Sequence, residues 1–130
     1  MRRARSAQLL FAFAVLAAFA ACNDDHRPRE SFAIISYGFE GGSVVANSQT
    51  PGDPRCYDDP QLSVVKASDG LHLSATMART DQEFCNVPCP SLTNHLAKPL
   101  PAGSSGLPVV LDPPMHGACT RMTGGPASVP

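Results

Sequence analysis

Between Leu71 and Met77 apolar and polar side chains strictly alternate: Leu71, Leu73, Ala75 and Met77 against His72, Ser74 and Thr76. A period of two places one set on each face of an extended chain, so this segment is a strand with one buried face. It is preceded by Ser68-Asp69-Gly70 and a second apolar run, Leu62 to Ala67. Asp-Gly between two such runs predicts a β-hairpin, because glycine accepts the positive φ that a tight turn imposes. The loop length is open between two residues and three with a bulge. A slip of one residue decides which of Val64 and Val65 faces the core.

The rest of the chain offers no competing helix. Thirteen prolines are spread along it, and no long stretch beyond the N-terminus repeats at 3.6 residues. Strands are expected at Ser31 to Tyr37, Ser43 to Ala46, Ser91 to Lys98 and Leu107 to Leu111, with a last one at Ala118 to Met122. In Ser91 to Lys98, Leu92 and Leu96 share one face; Pro108 makes Leu107 to Leu111 an edge strand. Asn47 to Pro60 and Arg79 to Pro90 have loop composition, and the end of the chain from Thr123 is a frayed tail. Short strands separated by Pro/Gly turns predict an all-β sandwich.

The N-terminus has a different character. Arg2, Arg3 and Arg5 precede an unbroken apolar run from Leu9 to Ala21. That is the pattern of a secretory signal peptide, and the run is shorter than the roughly 20 residues a spanning helix needs. The segment Phe19-Ala20-Ala21-Cys22 resembles the lipobox of bacterial lipoproteins, with Phe19 where Leu is usual. The resemblance implies a diacylglycerol on the Cys22 thiol. Ala18-Phe19-Ala20 also fits ordinary signal peptidase, which would leave a plainly secreted protein. Cysteine arithmetic favours lipid: acylating Cys22 leaves Cys56, Cys85, Cys89 and Cys119, an even set for two disulfides. The favoured pairing is Cys85–Cys89 with Cys56–Cys119, and Cys56–Cys85 with Cys89–Cys119 is its rival.

The expected organisation is a signal peptide over 1–21, a lipidated cysteine and tether over 22–30, a β-sandwich over 31–123 and a disordered tail over 124–130. The stretch Pro99-Leu100-Pro101-Ala102-Gly103 between two strands resembles the terminal hairpin of small immunoglobulin-like domains in secreted bacterial proteins. The usual aromatic after the glycine is replaced by Ser104. That resemblance implies an immunoglobulin-like fold and no activity.

Chemistry-bearing constellations are sparse. Beyond the expected signal peptide, seven Lys and Arg stand against eleven Asp and Glu, with five aromatic residues and no Trp. Nucleic acid, which needs a basic stripe with stacking platforms, is therefore no partner. Cys85 and Cys89 are one residue too far apart for a redox Cys-x-x-Cys and lack the paired spacing of a zinc site. Met115, His116 and Met122 near Cys119 supply soft ligands for copper, but in the wrong order for a blue-copper site. Asp53, Asp58 and Asp59 lack calcium-loop spacing, and His26, His72 and His95 stand apart in the sequence. No nucleophile elbow is present. The expectation is a non-enzymatic, cofactor-free module at the cell envelope, held to the membrane through Cys22 and facing the periplasm or exterior. Its partner is an envelope protein or a small ligand, and a copper-binding envelope protein is the alternative.

Overall fold

The computed structural model describes residues 26–51, 54–82, 85 and 91–130. The expected signal peptide, Cys22 and Cys89 lie outside them.

The described chain is all-β: β1 Arg29–Glu40, β2 Ser43–Pro51, β3 Tyr57–Ala67, β4 Gly70–Arg79, β5 Ser91–Pro99 and β6 Val109–Leu111, with a 3-10 turn at Pro54–Cys56. Five strands form one curled antiparallel sheet in the order β3-β4-β1-β2-β5, and β6 adds to β4 in parallel. The curl comes from β1, which belongs to both halves. Its first residues, Arg29 to Phe32, pair with β4, and from Ala33 to Glu40 it pairs with β2. A bulge between Ile34 and Ser36 bends the strand shortly after the handover, the usual effect of an extra residue on one side of a ladder.

The β3–β4 hairpin follows the alternation. Leu71, Leu73, Ala75 and Met77 are buried, while His72, Ser74 and Thr76 are partly exposed. Ala67 pairs with Gly70, so the loop is the two residues Ser68 and Asp69. That register turns Val64 towards the core and leaves Val65 exposed. Gly70 sits at φ 145°, and a β-carbon there would collide with the Pro108 carbonyl, which accepts the Leu71 N–H at 2.8 Å.

The core joins both halves of the curl: Ile34, Val44, Ala46, Leu62, Leu71, Leu73, Ala75 and Val129. A smaller cluster of Phe32, Cys56, Tyr57 and Met77 sits beside it.

Several expectations are corrected. Asn47 to Pro51 continues β2, although Ser48, Gln49 and Thr50 are polar and buried, and the Gln49 and Thr50 side chains are hydrogen-bonded there. Thr50 Oγ1 bonds the Met77 sulfur at 3.0 Å and accepts from Asn94 at 2.9 Å, and Gln49 Oε1 accepts the Cys119 N–H at 2.6 Å. Leu96 packs on the core, whereas Leu92 at the start of β5 is exposed. Ala118 to Met122 is not a strand. Instead residues 112–130 form an irregular strap beside β1. Ser31 O accepts the Met115 and His116 N–H, Ile35 O accepts those of Thr123 and Gly124, and Tyr37 N–H donates to Gly124 O. The segment expected to fray is packed: Val129 is 3% exposed and exchanges backbone hydrogen bonds with Gly106 and Leu107. An immunoglobulin-like sandwich is a finer statement than this curled sheet supports.

Replacing Gly70 with Ala should destabilise the domain by about 2–4 kcal/mol, through positive-φ strain plus displacement of Pro108. Val65→Ala on the same hairpin should stay within about 0.5 kcal/mol, as expected for a site outside the core. Urea unfolding of the two variants would measure the contrast.

Candidate functional site

One polar feature of the surface crosses three strands. Pairing places Ser36 of β1 opposite Asn47 of β2, and Asn47 opposite His95 of β5. The neighbouring row is Gly38, Val45 and Ala97. These rows alternate with the inward-facing Val44, Ala46 and Leu96 and so lie on the outer face of the sheet. They line a groove of about 430 Å³ together with Tyr37, Ala46 and Leu96.

Asn47 Nδ2 donates to Ser36 Oγ at 2.9 Å, and His95 Nδ1 is hydrogen-bonded to Asn47 Oδ1. An amide oxygen can only accept, so Nδ1 carries the proton and Nε2 of the neutral ring is an acceptor. The row thus keeps a Ser36 hydroxyl proton, a second Asn47 amide proton and the His95 Nε2 lone pair for a ligand. Among the described residues, none lining the groove is Asp, Glu, Lys or Arg. Sequence reasoning treats His95 as an isolated surface residue and passes over Ser36 and Asn47. Each stands at an alternating position, but only strand register brings the three together.

A second constellation joins the strap to the sheet. His116 stacks on Phe32 with ring centroids 4.7 Å apart, and its Nε2 bonds Glu30 Oε1 at 2.8 Å. Tyr57 meets Phe32 edge-on at 4.8 Å. Burial, then the Glu30 carboxylate, push the Tyr57 hydroxyl above its ordinary pKa, against the opposing pull of Arg79. Glu30 Oε2 is buried without a hydrogen-bond partner, and Arg79 Nη1 approaches it at 3.7 Å. This group ties β1, β3, β4 and the strap together and brings no nucleophile to the histidine.

It also accounts for the suggested soft-metal ligands. His116 has Nε2 engaged by Glu30, Met115 is 68% exposed, and Met122 borders a small cleft lined by Phe32, Ile34 and Leu111. Cys119 is disulfide-bonded and has no thiolate to offer. Among the described residues no three His, Cys, Asp or Glu side chains form a metal-ligating group.

Cys56 is joined to Cys85, which overturns the favoured pairing of Cys85 with Cys89 and of Cys56 with Cys119. The physical reason is the course of β3. Cys56 is fully buried immediately before Tyr57, and the Thr80 N–H just past β4 donates to its carbonyl, so Cys56 faces the segment that leads to Cys85.

No family model, curated protein or solved structure matches the chain.

Cys56→Ser should cost about 2–4 kcal/mol, the range for closing a loop of 29 residues and losing a buried sulfur. Denaturation of wild type with and without reductant, beside the variant, checks this. Peptide mapping without reduction should recover a fragment linking Cys56 to Cys85.

Proposed function

We propose that this chain is an exported, membrane-anchored, non-enzymatic β module that binds a neutral, hydroxyl-rich ligand at the cell envelope. The hydrogen-bonded row Ser36–Asn47–His95, open to solvent along an uncharged groove, carries the reading. Its unused donors and acceptor suit hydroxyl groups, each of which both donates and accepts. The shallow floor of Gly38, Val45 and Ala97 suits the apolar face of a saccharide ring. Charged ligands would find no counter-charge among the lining side chains.

The location rests on the lipobox-like Phe19-Ala20-Ala21-Cys22 and is supported by Cys56–Cys85, since structural disulfides persist in oxidising compartments. With Cys22 acylated, Cys89 is the natural partner of the disulfide-bonded Cys119. Several acyl chains at about 0.8 kcal/mol per buried methylene make a lasting anchor.

Two measurements separate the parts of this proposal. Expressed in a bacterium, the wild-type protein should partition with membranes and carry the mass of a lipidated cysteine, and Cys22→Ser should lose both. Equal partition of the two proteins would discard the anchor. For binding, titration of the mature domain with a panel of neutral disaccharides at millimolar concentration should shift the Asn47 and His95 side-chain NMR signals. Asn47→Ala should abolish the response. Silence across the panel would reject the saccharide reading, and turnover that a point mutation abolishes would reject the non-enzymatic one.

A further inference from the structure

His72 stands outside the groove and the Glu30 cluster, and both its ring nitrogens are engaged by carboxylates. Nε2 lies 2.6 Å from Asp69 Oδ1 in the β3–β4 turn. Nδ1 lies 2.7 Å from Asp112 Oδ1, at the point where the chain leaves β6 for the strap. Carboxylates at these distances accept, so both ring nitrogens must donate, and only the imidazolium has two N–H groups. A neutral ring would turn a lone pair towards one of the two carboxylates.

We propose that His72 is a proton-operated latch on the strap: the imidazolium holds Asp112 against β4, and deprotonation releases it. Asp112 is the first strap residue, and its N–H donates to Leu73 O at 3.0 Å, so the latch acts where the strap departs from the sheet. Asp112-Pro113-Pro114 follows, and neither proline has an N–H with which to hold the turn. Beyond it the strap is held to β1 by scattered bonds to Ser31, Ile35 and Tyr37 in place of a regular ladder.

Among the described residues, the surroundings of His72 supply no competing cation. From β3 it faces Val65, with Ser63 next along that face, and from β6 it faces Val110. Lys66 is engaged with the Ala102 carbonyl. Asp69 and Asp112 are therefore the charged groups that set its behaviour, and hydrogen bonds first to Asp112 and then to Asp69 raise the His72 pKa above its ordinary 6.5. The His72 hydrogen bond holds the Asp69 carboxyl below its ordinary range.

The signs define a window. A raised histidine pKa gives stability that is fully present below the unfolded value and lost as pH climbs through the folded one. A depressed aspartate pKa gives stability lost as pH falls through its folded value. The latch thus holds from the ordinary carboxylate range up through the ordinary histidine value and opens as pH climbs through the raised His72 pKa. Opening frees the edge of β1 at Ile35 and Tyr37, which is able to pair with another strand.

Hydrogen exchange on the full mature protein tests this. Protection factors of the Asp112, Thr123 and Gly124 amides, each divided by that of an amide in the β1–β2 ladder, remove the intrinsic effect of pH. The ratio should fall severalfold as pH rises through the His72 titration, followed in the same samples by the His72 ring proton in NMR. In His72→Gln the ratio should be low and independent of pH. In His116→Asn, which removes the histidine within the strap itself, the pH dependence should persist. A ratio that does not change with pH, or that follows the His116 titration, overturns the proposal. Both can be seen in wild type alone should a variant fail to fold.

Discussion

Every backbone N–H and C=O of a buried strand must find a partner, and β1 meets this demand with three different neighbours. One edge of its first four residues belongs to β4. From Ala33 onward β2 takes one edge, and β4 has departed to pair with β6. The wedge opened between β1 and β4 cannot stay empty without stranding groups such as the Ile35 carbonyl and the Tyr37 N–H. Residues 112–130 fill it, and the bulge in β1 places the Ile35 carbonyl where Thr123 and Gly124 both reach it. The curl of the sheet, the course of the strap and the burial of Val129 follow from that one requirement.

Filling the wedge with irregular chain leaves few ladder bonds, and side chains make up the difference. Gln49 holds the strap from β2, Glu30 and Phe32 hold His116 from β1, and His72 holds Asp112 from β4. These contacts are polar or aromatic, in contrast to the aliphatic core shared by the two halves. The attachment of the strap therefore combines these polar and aromatic contacts with the burial of Val129 in that core. The groove over β1, β2 and β5 lies on paired strands, with Ser36 just past the β1 bulge, a stiffer support for a binding surface than irregular chain.

Legibility in the sequence tracks how local the cause is. The β3–β4 hairpin was readable because alternation and a turn signal occupy adjacent residues. The end of β2 was not, because Ser48, Gln49 and Thr50 look like loop and become strand only with partners on β4, β5 and the strap. His95 looked isolated for the same reason: Asn47 and Ser36 reach it through register, which no single strand contains. The pairing of Cys56 with Cys85 depended on where β3 begins.

Sequence alone determined that the domain is built of strands, since period-two alternation and thirteen prolines leave a helix no stretch in which to form. It also determined which face of β4 is buried. Tertiary structure decided the disulfide partner, the fate of the last nineteen residues and the assembly of the groove, because each joins residues far apart in the chain. Hydrophobic periodicity encodes which side of a strand faces inward. Which strand lies beside which is set by the pairing of backbone groups, and those are the same at every residue but proline.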